Sequence, residues 1–343
     1  MSVSGLQRLR KLQIGYQASF ASNTGETKAL PYRGAIEIDP QLTDPDVDVG
    51  SLDPILAPFA GAANFTSTWD GNLAYNDAPD LWAGILKGGV VPTGTTARTH
   101  TFTAASLTQD TFPYATYQWG DDVITDWIYG GGTVIDELTT GFDEDLGAWT
   151  VNFNAIHARA SFGGPTGGLS VDSNPTWVYG ADSEVFIDAS SGAIGTSRLD
   201  AAVHRAELRV TANNDPKRFA QGAAAGSNVS RFNLANFGRG QREIELVLGV
   251  AKTTATTAQR QSIDDAPPAE VYIELRSTST VIITGTTPYS QSIRMPMRLI
   301  TATDTEFGEN NTGYELTYRA RYNSTLGYAI RVVTVTTNTT TYP

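Results

Sequence analysis

Residues 133–142 read TVIDELTTGF and residues 148–162 read AWTVNFNAIHARASF, with the acidic stretch DEDLG between them. In both runs apolar and polar side chains alternate, and β-branched and aromatic residues are frequent. That period is the mark of a strand with one buried face and one solvated face. The short polar connection makes the two runs a pair of long strands. The same period extends outward on either side. PYRGAIEI (31–38), GAANFTSTWDGNL (61–73), THTFTAA (99–105) and YATYQWG (114–120) precede it, and Phe65 and Trp69 share a face. A Gly-Pro-rich stretch, GGPTGGLSVDSNP (163–175), follows. Then come TWVYGADSEVFIDAS (176–190), HRAELRVTA (204–212), QREIELVLGV (241–250), EVYIELRSTSTVIITG (270–285), SIRMPMRLITAT (292–303), GYELTYRARYN (313–323) and GYAIRVVTVTT (327–337). The fold class is mainly β.

Two segments depart from this period. NDAPDLWAGILKGG (76–89) carries helix punctuation, with Asn76 or Asp77 as N-cap, Pro79 in the first turn and Gly88 as stop. ATTAQRQSIDDA (255–266) reads as a short polar helix. Strand 61–70, helix 77–87 and strand 99–105 recur as strand 241–250, helix 255–265 and strand 270–278. The long strand at 148–159 recurs at 313–324. The expected organisation is an N-terminal arm (1–30), a first β module (31–165), a linker (166–175), a second β module (176–337) and a C-terminal tail (338–343). Each module is a β-sandwich or barrel with one flanking helix. The arm, the stretch 40–58 and the Thr-rich end at 334–343 read as too polar for core.

Bulk chemistry narrows the function. The 343 residues carry a formal net charge of −12, which disfavours tight binding of nucleic acid through a basic stripe. No cysteine is present, which removes disulfides, thiolate metal sites and thiol nucleophiles. No stretch approaches the apolar length of a membrane span, and folding in cytoplasm is expected. His100, His157 and His204 stand far apart with no metal-binding spacing.

DPDVDVGSLDPIL (44–56) begins like a calcium loop, with Asp44, Asp46 and Asp48 at alternating positions. Position six is Val49 instead of Gly, and position twelve is Ile55 instead of Glu, so the EF-hand pattern fails. A looser divalent-ion site and a solvated extended loop remain as readings. Between Arg98 and Arg159 there are nine Asp or Glu and no Lys or Arg. Such a run meets the carboxylate spacing of a glycosidase by chance alone. Trp119 and Trp127 keep a sugar-stacking reading open. No GxSxG motif occurs, and FGRGQ (237–241) lacks the lysine of a phosphate loop. No catalytic, cofactor or metal residue is assigned.

The segments LPYRGAIEIDPQLTDPDVDVGSLDPILAPF (30–59), NDAPDLWAGILKGG (76–89) and YQWGDD-x-x-TDW (117–127) together resemble the tail tube proteins, or major tail proteins, of bacteriophages with long non-contractile tails. The resemblance covers about residues 28–165 and is fairly specific as a set. Beyond 175 it is one of general β pattern and length.

It implies a structural virion protein without enzymatic activity or cofactor, built of β-sandwich modules that assemble into stacked rings around a genome conduit. Its implied place is the virion tail, reached from host cytoplasm during assembly. Its implied partners are copies of itself, a tape measure protein, tail terminator and tip proteins, and viral DNA that passes without tight binding. The recurrence of elements favours three chains per ring, a pseudo-hexamer, over six. Under this reading the stretch 44–56 is an inter-subunit loop, with Asp44, Asp46, Asp48, Ser51, Asp53 and Ile55 as contact candidates. Candidate lumen charges are Asp121, Asp122, Asp126, Asp136, Glu137, Asp143, Glu144 and Asp145. Other classes are a non-enzymatic carbohydrate-binding or decoration β-sandwich protein of a virion, and an adhesin-like surface protein.

Overall fold

The computed structural model describes residues 10–20, 25–39, 41–43, 59–60, 63–104, 111–121, 126–163, 169–200, 202–218, 234, 236–264, 268–307 and 311–343. The first half contains β1 (Arg10–Tyr16), β2 (Lys28–Leu30), β3 (Arg33–Asp39), β4 (Leu42–Thr43), β5 (Phe59–Ala60), β6 (Asn64–Asn72), α1 (Ala78–Ile85), β7 (Arg98–Thr103), β8 (Ala115–Asp121), β9 (Asp126–Phe142), β10 (Thr150–Ile156) and β11 (Arg159–Phe162). The second half contains β12 (Ser183–Ala189), β13 (Val203–Thr211), β14 (Asn214–Lys217), β15 (Asn236–Arg239), β16 (Glu243–Ala251), α2 (Thr254–Gln261), β17 (Glu270–Thr284), β18 (Thr287–Phe307), β19 (Asn311–Ala320) and β20 (Arg331–Thr336).

The fold is mainly β, as the alternation demands, and its pairing is antiparallel throughout. One sheet of 16 strands runs along the path β12-β17-β18-β19-β16-β13-β9-β10-β6-β3 with the remaining members branching from it. The stretch 166–175 therefore separates the halves in sequence only. In space β9 pairs with β13 and β7 pairs with β20. One apolar cluster, from Leu12 and Trp69 to Leu316 and Val332, spans both halves.

The two halves use the same pairing order. In the first, β3 pairs with β6, β6 with β10, β10 with β9, β9 with β8 and β11, and β8 with β1. In the second, β13 pairs with β16, β16 with β19, β19 with β18, β18 with β17 and β20, and β17 with β12. A helix follows β6 and another follows β16. The correspondence reaches single residues. The β9–β10 register runs Ile135↔Ala155 and then Glu137↔Asn154, skipping Asp136. The β18–β19 register runs Leu299↔Tyr318 and then Thr301↔Thr317, skipping Ile300. Each long strand thus carries a β-bulge at the same place, a feature that bends and twists a strand locally. The sequence recurrence matched strand 99–105 to strand 270–278. The ladders instead give β8 the place of β17, and β7 is an addition that forms a ladder with β20 and a single bridge from Thr99 to Thr93.

Two regions read as polar extensions belong partly to the core. In β1 the polar Arg10 and Lys11 are followed by Leu12, Ile14 and Tyr16, which are buried against β8 and β2. At the other end Thr334, Thr336 and Tyr342 are fully buried. Tyr342 pairs with Val90 through two backbone hydrogen bonds of 2.9 Å and packs edge-on against Tyr16. The chain end passes so close to α1 that a Cβ on Gly88 would sit 2.1 Å from the Pro343 carbonyl oxygen. A bare backbone is needed there. Neither correction was readable from composition, because whether a Thr or Gln on a strand is buried is decided by which distant strand pairs with it.

α1 is buried along its whole length. Asp77 holds the N-cap position but makes no capping bond, because its carboxylate is 2.8 Å from the Lys28 ammonium. Asp80 lies 2.7 Å from the same ammonium and accepts from the Tyr342 hydroxyl at 3.1 Å. Burial pulls Lys28 down, but Asp80 and Asp77 outweigh it and hold the ammonium above its ordinary range. The Trp82 indole donates to Gln291 Oε1 on β18 at 3.0 Å. The first half's helix is thus tied to the second half's long strand.

Candidate assembly surface

Side chains on the long sheet divide by parity. On one face Trp69, Phe153, Leu138, Leu208, Leu246, Leu248 and Leu316 are buried. Trp69 meets Tyr117 of β8 edge-on at 6.4 Å, and Tyr32 meets Phe153 at 5.5 Å, so a second layer covers this face. The other face is polar. In the first half it carries Thr66, Thr68, Thr139, Asn152 and Asn154, with Thr68 donating to Asn154 at 2.9 Å.

In the second half the same face is a lattice of charges. Directly opposed neighbours run Arg209, Glu245, Arg319, Arg298, Glu270 from β13 to β17. Arg209 bonds Glu137 at 2.7 Å, and Arg205 bonds Glu207 at 2.8 Å and Glu315 at 3.4 Å. Opposite signs meet at three of these four steps and support the sheet, while Arg319 and Arg298 set like charges opposite each other. The signal for this lattice was present in HRAELRVTA and QREIELVLGV, where Arg205, Glu207 and Arg209, and then Glu243 and Glu245, fall at every second position.

Two strand edges on this sheet lack a partner among the described residues. β3 pairs with β6 on one side only. β18 pairs with β19 along its last part, but β17 reaches no further than Arg298 on the opposite side. The stretch 300–307 therefore presents an open row of backbone groups, which proteins normally pair or cover.

The structure scatters the predicted acidic residues. Asp121 is fully buried on β8 opposite Arg10. Asp126, at the start of β9, is exposed and lies 3.4 Å from Arg10. Asp136 is the bulge residue, and its carboxylate accepts from the Asn214 backbone at 2.7 Å. Burial pushes its carboxyl above the usual range against that bond. Glu137 is bridged to Arg209, on the polar sheet face. Asp143, Glu144 and Asp145 occupy the exposed turn between β9 and β10; Asp143 is 3.6 Å from Arg205 and Glu144 is 3.7 Å from His204. A run without local Lys or Arg thus acquires its cations from other strands. Asp122 lies outside the described residues, as do Asp44, Asp46, Asp48, Ser51, Asp53 and Ile55. The ends of that last loop are described: β4 pairs with β5, so its base is a closed hairpin.

Other chemistry finds little to work with. His157 is fully buried between the Thr133 and Ser67 hydroxyls at 2.7 and 2.9 Å, and burial lowers its pKa to about 3. It is a neutral packing group. Asp188 ties a loop, accepting from the Gly195 and Ser197 amides at 2.7 Å each. A cleft of about 570 Å³ is lined by Arg10, Lys11, Arg33 and Trp119, but the Arg10 guanidinium already stacks 4.3 Å from the Trp119 ring. Trp127 is buried, so the two tryptophans do not form a sugar platform. Among the described residues no three His, Asp or Glu come together as a metal site, and no helix is long and apolar enough to cross a membrane.

No protein-family model matches the sequence, and no curated protein matches it.

Proposed function

We propose that this chain is a structural virion protein whose copies form stacked rings, the tail tube through which a long-tailed phage ejects its genome. The observation that carries the reading is the internal repeat joined edge to edge. The chain already contains two equivalent sheet units fused through β9 and β13, and among the described residues it leaves β3 and residues 300–307 of β18 without a partner on their outer sides. A unit that joins its like head to tail closes into a ring or grows as a filament. With two units per chain, three chains make a pseudo-hexamer.

In this arrangement the apolar face packs outward against its covering layer, and the polar face looks inward. The lumen wall then carries the Thr/Asn surface and the Glu/Arg lattice instead of a purely acidic stretch. Paired charges hold few free cations for phosphate, and the net charge of −12 disfavours adhesion. Partners in the tail are further copies, a tape measure protein, and terminator and tip proteins.

Electron microscopy of concentrated protein tests the reading. Tubes about 10 nm wide, the scale of two sandwich walls around a conduit, are expected, with rings of three chains by mass. Globules with no cylindrical packing at any concentration would refute it.

A further inference from the structure

From the internal join we infer the contact between copies: β3 of one chain adds antiparallel to residues 301–306 of β18 in the next, in a fixed register. This rests on the ring reading above and specifies its interface. The register follows from matching rows across the sheet. Gly34, Trp69, Phe153 and Leu138 face one another in turn across β3, β6, β10 and β9. Ala206, Leu248, Leu316 and Ala302 do the same across β13, β16, β19 and β18. The rows correspond strand for strand, and the bulges agree. Ala206 thus matches Gly34, and Val210 matches Ile38.

Inside the chain Leu138 is paired with Val210, Thr139 with Arg209 and Gly141 with Glu207. The equivalent pairs between chains are Ala302 with Ile38, Thr303 with Glu37 and Thr305 with Ala35. Both edges these pairs need are unpaired among the described residues. Both joins set a charged side chain opposite threonine on the polar face and one aliphatic pair on the apolar face, Leu138 with Val210 or Ala302 with Ile38; the next apolar-face pair is Thr140 with Leu208 inside the chain and Asp304 with Ile36 between chains. Extended backbone added to a free edge in this way is a general mode of protein association.

The stagger permits closure. A row that starts at Gly34 reaches β13 at Val210, although Ala206 is the residue that matches Gly34. The displacement is about four residues for about four strands. With ordinary strand rise and spacing this is a tilt of roughly 35°, within the range of closed barrels. Three chains would give a cylinder about 45 Å across between opposite backbones, which leaves room for a duplex.

The absence of native cysteine makes disulfide trapping clean. Directly opposed residues in an antiparallel pair lie within disulfide reach. Glu37 and Thr303 are exposed, so a variant with Glu37→Cys and Thr303→Cys keeps the fold. Mild oxidation is expected to give covalent species of one, two and three chains on a non-reducing gel, ending at a closed ring. The pair Thr139→Cys and Arg209→Cys, opposed within one chain, is the positive control and cross-links without changing mass. The pair Glu37→Cys and Thr301→Cys, slipped along the strand, should trap far less. Tubes that form without the in-register cross-link, or with the slipped pair favoured, overturn this contact and leave the tube reading standing. Chains that neither assemble nor cross-link, while the internal control closes, overturn both.

Discussion

α1 and α2 follow corresponding strands of the two halves, yet their surroundings are opposite. α1 is wholly buried beneath β7, β20 and the segment through Tyr342. α2 keeps only Thr256 buried and relies on its own capping box, in which Thr253 and Thr256 exchange hydrogen bonds. The polar sheet face diverges in the same way, with Thr and Asn in the first half and paired charges in the second. One ladder order therefore tolerates two surface chemistries. Pairing order is set by backbone and by the parity of apolar residues. What lies outside that parity is free to differ.

The largest effect should come from removing the buried helix's anchor. Trp82→Ala deletes a fully buried indole and its bond to Gln291, and should cost about 3–5 kcal/mol by chemical denaturation. A cost near zero would show that α1 does not hold the halves together.

Acid should discriminate next. His157 sits in the first half with its pKa lowered from 6.5 to about 3 by burial. Because the folded value is depressed, its contribution is complete above pH 6.5 and is lost as pH falls toward 3, when the unfolded chain takes up the proton. The loss should reach roughly 3 kcal/mol by pH 4. In a His157→Gln variant the stability–pH curve should be flatter over that window.

A smaller effect belongs to the exposed helix. Thr253→Ala removes the cap of α2 and should cost about 1 kcal/mol, with hydrogen exchange rising in α2 and not in α1. Smallest is the charge lattice. Arg319→Ala breaks a partly exposed pair with Glu245 at 3.5 Å and should cost less than about 1 kcal/mol, diminishing in high salt.

Much of the architecture was legible because alternation in a half-buried strand is a direct imprint of the fold. Trp69 and Phe65 share a face as their spacing requires, and of the two N-cap candidates, Asn76 and Asp77, the helix takes Asp77, while it ends at Ile85, short of the stop expected at Gly88. The N-terminal strand was hidden by its opening Arg-Lys, and the end segment by its threonines. In both cases burial depends on a partner strand far away in sequence. The candidate surface was legible only in part for the same reason. The run from Asp121 to Asp145 looks uniformly acidic along the chain, but Arg10, Arg205 and Arg209 arrive from other strands. The open edges at β3 and β18 have no local signature, since an edge is defined by what fails to pair with it.

The paired bulges at Asp136 and Ile300 act as detents. Sliding either long strand by one position would turn Leu138 of β9 or Leu299 of β18 out of the interior and strand the extra residue against a paired neighbour. Both halves are thus indexed to the same notch, which keeps the two ladders in step across the β9–β13 join.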